Sequence, residues 1–213
     1  MCYQTICNEG SKFLGPHAHP EVSLHTHPLQ EYMDFIYKDD WPGVADLMVS
    51  SAQKLESIGA EVLVCPDNTI HKVYKSANTK VKIPWLHIAE EVAKVARERG
   101  FKKVGVLGTK YLMESDVYPS TFGKYDIAYD IPLEAEREKI NSIVFDELVY
   151  GKIEESSRDY FKSMIADLKT KGCDSVVLGC TEIPLIISDK DSTLPTLDST
   201  RILARAALRL AIS

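Results

Sequence analysis

The chain writes one strand-and-loop unit twice, and this repeat limits what it can fold into more than any other feature. The first copy runs from Gly59 to Thr69 as Gly-Ala-Glu-Val-Leu-Val-Cys-Pro-Asp-Asn-Thr. The second runs from Gly172 to Glu182 as Gly-Cys-Asp-Ser-Val-Val-Leu-Gly-Cys-Thr-Glu. Each copy follows a helical run that a glycine ends and continues as an apolar strand. A reactive side chain then stands eight positions past the glycine, Asp67 in one copy and Cys180 in the other. A unit used twice predicts a pseudo-twofold molecule. Two such loops facing across a cleft can hold two proton-transfer groups on opposite sides of one carbon atom.

The rest of the chain alternates in the same way. From Trp41 to Ile58 the apolar positions Val44, Leu47, Met48, Leu55 and Ile58 keep helical spacing, with Pro42 near the start, where its missing N–H does no harm. Val62–Cys65 and Ile83–Ile88 are predicted as strands, with a short helix over Thr69–Ser76 between them and an amphipathic helix over Ala89–Arg99 that stops at Gly100. The second half predicts strand Lys103–Leu107, a helix from Met113, strand Asp126–Asp130 and a helix from Leu133 to Tyr150. Helix Arg158–Lys171 and strand Ser175–Leu178 follow, then a short strand at Thr196 and Leu197 and a last helix, Thr200–Ala211. Apolar strands buried on both faces and alternating with helices argue an α/β fold with parallel sheets. Two pseudo-symmetric lobes are expected, each a parallel sheet flanked by helices, with the active site in the cleft between them. Residues 1–99 with 188–213 form the first lobe on this reading, and residues 100–187 the second.

A length of 213 residues lets two lobes of about 100 residues each bury a core. A net charge of −6 offers no basic face for nucleic acid and favours small-molecule chemistry. No apolar run approaches the roughly 20 residues a membrane helix needs, and no basic-then-apolar leader opens the sequence. The five cysteines, Cys2, Cys7, Cys65, Cys173 and Cys180, are odd in number and widely spaced, which disfavours a disulfide framework or zinc ribbon and points to a reducing cytoplasm.

Leu178-Gly-Cys-Thr-Glu-Ile-Pro-Leu-Ile-Ile187 closely resembles the second catalytic motif of the aspartate/glutamate racemase family, and Pro66-Asp-Asn-Thr-Ile-His71 is similar to its first. Val106-Leu-Gly-Thr109 with Met113-Glu114, Asp146-Glu-Leu148 with Gly151, and Asp198-Ser-Thr200 extend the likeness from about Trp41 to the C-terminus. The resemblance implies a cofactor-independent racemase of a small amino acid, aspartate- or glutamate-like, and a homodimer. Two departures stand out. The family's first motif usually presents a cysteine, or in some members a threonine, where this chain has Asp67. The glycine-rich strand and loop that open family members have no counterpart before Cys2, which makes the first lobe short by one strand.

The chemistry explains the residue types. Removing an α-proton without a cofactor requires a base on one face, an acid on the other and donors around a carboxylate that gains enolate character. Cys180 and Asp67 are the candidate pair. Loop N–H groups at Asn68-Thr69 and Thr181-Glu182, with Thr109, are the candidate substrate donors. A helix start after Cys180 is expected to lower its thiol pKa. The plainer readings are that Asp67 caps the next helix and that Cys180 is a buried core thiol. The register of the repeat and the flanking Gly, Thr and Glu favour the site reading, whereas Cys65 and Cys173 are assigned to structure. His17, His19, His25 and His27 form two His-x-His pairs, but no Cys or carboxylate completes a metal set. Pro20–His27 is read instead as the family's second strand and its loop, with His25, Thr26 or His27 binding a substrate carboxylate. His71 is placed against the first loop. The rival functions are a decarboxylase or lyase using a single cysteine, and a non-catalytic binder of a small acid.

Overall fold

The computed structural model describes residues 1–213, whose strands lie in two parallel sheets. The larger has the order β4-β3-β5-β6, formed by β3 (Lys103–Leu107), β4 (Ala128–Asp130), β5 (Ser175–Leu178) and β6 (Thr196–Asp198). All four residues of β5 are buried, so both sheet faces need helices. The alternation of side chains assigns the faces. Leu107, Val176 and Leu178 pack with α8 (Glu134–Asp146) and α9 (Glu155–Thr170), while Val104, Val106, Val177 and Leu197 pack with α5 (Ile88–Glu98) and α7 (Val117–Phe122). Gly105 is required where β3 meets α9, because a Cβ there would stand 2.8 Å from Leu168 Cδ1.

The smaller sheet pairs β1 (Leu63–Val64) with β2 (Trp85–Leu86), Leu63 opposite Trp85 and Val64 opposite Leu86. Leu63 and Trp85 face α2 (Leu29–Ile36) and α3 (Trp41–Ser57) through Met33, Val44 and Met48. Val64 and Leu86 face the other way, onto Ile6 of α1 (Cys2–Leu14) and Ala204 and Ala207 of α11 (Ser199–Ala211). The Asp40 carboxyl caps α3 by accepting the Gly43 N–H at 3.0 Å, with Pro42 in the first turn. The two glycines of the repeat do the same work in each copy. Gly59 at φ 93° and Gly172 at φ 86° take the left-handed conformation just past α3 and α9 and turn the chain into its strand.

Several sequence expectations are corrected. Pro20–His27 is not a strand: no backbone hydrogen bond joins His19–His27 to any other segment, and β1 is paired only with β2. Pro20 and Pro28 bracket the segment and His17 precedes it at φ 65°, so it stays extended without a ladder. The predicted helix at Thr69–Ser76 is a 3₁₀ turn, Thr69–Val73, running into α4 (Tyr74–Asn78). The helix expected from Met113 divides into α6 (Lys110–Met113) and α7. β6 joins the larger sheet, and α5 packs on that sheet.

Candidate active site

Asp67 follows β1 and Cys180 follows β5, each at the carboxyl end of its strand, where open parallel sheets bind ligands. Both line one cleft of about 540 Å³. Of the candidate substrate-binding residues, His25, Thr26, His27, Thr69, Thr109, Thr181 and Glu182 line it too, and Asn68 does not.

Asp67 both caps the turn after it and faces the cleft. Its Oδ1 accepts the Ile70 N–H at 3.1 Å, so the helix-capping reading holds for one carboxylate oxygen. The side chain is also open to the cleft. The surrounding protein strips hydration from the carboxylate and raises its pKa above the ordinary range; the N–H of Ile70 opposes this, and the Glu182 charge adds to it.

Cys180 is held by its neighbours. Its S–H donates to Glu182 Oε2 at 2.9 Å, and the Thr181 hydroxyl donates to the same oxygen at 2.6 Å. Burial, followed by the Glu182 charge and hydrogen bond, pushes the thiol pKa well above its usual value. This corrects the expectation of a lowered pKa. The helix after the loop, α10 (Ile183–Ile186), is a single turn, and its pull is outweighed by desolvation beside a carboxylate. Glu182, expected to contact substrate, is therefore first of all the thiol's partner.

Thr69 Oγ1 and Thr109 Oγ1 share a hydrogen bond of 2.9 Å, and Thr109 Oγ1 accepts the Leu112 N–H at 3.2 Å to cap α6. The N–H groups of Asn68, Cys180 and Thr181 have no acceptor within the chain. Asn68 turns its side chain away from the cleft into a buried network. It receives the Tyr118 hydroxyl at 2.7 Å and donates to Ser199 Oγ at 3.0 Å. His71 clamps the same loop: Nδ1 lies 2.7 Å from the Asp67 carbonyl and Nε2 accepts the Ile88 N–H at 3.3 Å. Burial pushes its pKa down to about 3, leaving a neutral ring whose Nδ1–H donates to that carbonyl.

Also lining the cleft, His25 Nδ1 meets Ser51 Oγ at 3.0 Å and its Nε2 accepts from Lys54 Nζ at 3.0 Å, while His27 Nδ1 is 3.5 Å from Glu31 Oε2. Tyr32 and Cys65 also line the cleft and were not foreseen as site residues. Burial, with the nearby Asp67 charge, pushes Cys65 up to about 12. Tyr32 could have been found as the one strongly amphipathic aromatic of α2, had that helix been recognised.

Comparison with known proteins bears on the family and the fold. The Asp/Glu/hydantoin racemase family profile matches residues 2–207. A solved structure of a proposed Asp/Glu racemase from Yersinia pestis is 34% identical, covers 100% of this chain and 93% of its own, and superposes with a TM-score of 0.90. An aspartate racemase homologue from Pyrococcus horikoshii OT3 is 28% identical over 100% of this chain and 92% of its own, with a TM-score of 0.84. The broad specificity amino-acid racemase RacX of Bacillus subtilis is 23% identical over 193 residues, 89% of this chain and 81% of its own length.

Proposed function

This chain belongs to the Asp/Glu/hydantoin racemase family, and on that premise we propose that it racemises a small amino acid without a cofactor, using Asp67 and Cys180 as the two proton-transfer groups. The observation that carries the reading is that both loops of the repeat deliver their reactive side chains to one cleft, an Asp67 carboxyl with its pKa raised and a Cys180 thiol with its pKa raised well above the usual value. The pair is thus poised asymmetrically. With one enantiomer bound, the Asp67 carboxylate takes the α-proton and the Cys180 S–H gives its proton to the opposite face. The thiolate and the carboxylic acid left behind return to their starting states by exchange with water. From the other enantiomer the thiol must first lose its proton, with Glu182 as the adjacent acceptor, and Asp67 must first take a proton from water; the thiolate then removes the α-proton and the Asp67 acid protonates the opposite face. The Thr181 N–H, on a residue of the cleft and without an acceptor in the chain, is the donor this reading assigns to a carboxylate gaining enolate character.

Each pure enantiomer of a panel of amino acids, incubated in heavy water and followed by NMR, tests this. Deuterium should enter at the α-carbon with loss of optical purity, and Cys180→Ala should slow it by at least about a hundredfold. Labelled product with release of carbon dioxide would instead identify a decarboxylase, and absence of any labelling a binding protein.

A further inference from the structure

A chain of hydrogen bonds enters the cleft from solvent and ends on hydroxyls that the proton transfers do not use. Lys54 is exposed and its ammonium only donates, so His25 Nε2, 3.0 Å away, is the acceptor and carries no hydrogen. The ring is then neutral with its hydrogen on Nδ1, in keeping with a pKa lowered by partial burial and by the Lys54 charge. Nδ1–H therefore donates to Ser51 Oγ at 3.0 Å. Both ring nitrogens of His25 are spent within the chain, and neither is left to hold a substrate carboxylate as the sequence suggested. The donor function passes one step further on.

That step is Tyr32 of α2, whose hydroxyl meets Ser51. Burial, with Cys65 nearby, pushes its pKa up to about 12; the Ser51 contact opposes this and the Asp67 charge adds to it, so the phenol is a protonated donor close to the reacting carboxyl. Ser51 and Tyr32 bring two hydroxyl hydrogens, and their mutual contact uses one at most. Neither hydroxyl has another acceptor in the chain. One O–H of the pair is left over, and both residues line the same cleft as Asp67 and Cys180. The Tyr32 ring is held from behind by the core of the first sheet and edge-on by His27, with centroids 6.3 Å apart. A donor without a partner, fixed on a helix and oriented by its neighbours, is matched to an oxygen that arrives with the ligand. An ammonium offers hydrogens alone, so of the two groups every amino acid carries, the carboxylate is the one that accepts.

We propose that the Tyr32–Ser51 hydroxyl pair, aligned by His25 and Lys54, donates a hydrogen bond to a carboxylate oxygen of the substrate. This rests on the racemase reading and adds two binding residues to its site. α-Methyl amino acids carry both charged groups but no α-proton, so they bind without reacting; the α-methyl derivatives of alanine, leucine, aspartate and glutamate are the probes, titrated by calorimetry. Tyr32→Phe keeps the ring and its packing and should weaken binding about tenfold or more. It should raise KM for the parent amino acids by a similar factor while kcat changes by less than about threefold. Ser51→Ala should weaken binding in the same direction, and the double variant should bind no worse than the weaker single one, because the two hydroxyls serve one bond. A loss shared by all probes places the bond on the α-carboxylate, and a loss confined to the aspartate and glutamate derivatives places it on a side-chain carboxylate. Unchanged binding and KM in Tyr32→Phe and Ser51→Ala, losses that add in the double variant, or a fall in kcat with binding intact overturn the inference and leave the racemase reading standing. If no probe binds and no amino acid exchanges its α-proton, the racemase reading falls and the inference with it.

Discussion

At Cys180 the nearest charge decides the chemistry. The start of a helical turn lowers a thiol pKa by a modest amount, but here burial and a carboxylate in direct contact act the other way and win. Glu182→Gln removes the charge and leaves the burial, so the Cys180 pKa should fall while staying above its ordinary value. The sign follows for two measurements. Alkylation by iodoacetamide should reach its fast thiolate limit at a lower pH in the variant. The alkaline limb of the exchange rate, where the acid Cys180 has lost its proton, should move to lower pH with it, read from rate–pH profiles of both proteins. An unchanged labelling profile would mean that the Glu182 carboxylate does not govern the thiol. That Cys180 and Asp67 line one cleft was legible in the sequence because the repeat puts them in one register. The pairing of Cys180 with Glu182 was not, since it depends on how the loop folds Glu182 back on its own neighbour. Asn68 was misjudged for a similar reason: its position beside Asp67 is visible, but the partners that draw its side chain inwards, Tyr118 and Ser199, are far away in sequence.

The elements that carry the site were the readable part of the fold. The strands and the helices α3, α5, α8, α9 and α11 have apolar periods that only one secondary structure satisfies, and their ends fall at Gly59, Gly100 and Gly172. α1 and α2 escaped because neither has a capping side chain at its start; their N-caps, Met1 and Pro28, make no side-chain hydrogen bond. The strand expected at Pro20–His27 failed because a strand needs a paired edge, which periodicity cannot supply. The loops after β3 and β5 approach each other through Gly108 and Gly179. The Gly179 N–H bonds the Leu107 carbonyl at 2.7 Å, and a Cβ on Gly179 would come 2.7 Å from that oxygen. Gly179→Ala should therefore push the Cys180 loop off β3. We expect a loss of stability of about 1–3 kcal/mol by urea denaturation and a drop in kcat of at least tenfold. An alanine variant of full activity would show that the loop does not depend on this close approach.

On the scale of the whole molecule, the two sheets must keep Asp67 and Cys180 in fixed relation, and one buried chain of hydrogen bonds connects them. Tyr118 of α7 donates to Asn68 in the first loop, Asn68 donates to Ser199 at the start of α11, and Ser199 donates to the Leu178 carbonyl at 2.9 Å, two residues before Cys180. Asn68, Tyr118 and Ser199 are all nearly inaccessible to solvent. Tyr118→Phe leaves the Asn68 carbonyl buried without its donor, which should cost about 1–3 kcal/mol. Its effect on turnover should differ in kind from that of a chemical group. Shifting the Asp67 loop relative to Cys180 weakens proton transfer to and from both faces, so exchange from the two enantiomers should slow by similar factors. Asp67→Asn keeps an oxygen to accept the Ile70 N–H but removes the base, so exchange should survive only for the enantiomer whose α-proton faces Cys180. The comparison is made by following α-proton loss in heavy water from each pure enantiomer with the two variants side by side. Equal slowing by Asp67→Asn would reduce Asp67 to a cap of the first loop. One-sided slowing by Tyr118→Phe would show that the buried chain acts on one face alone and does not hold the two lobes in register.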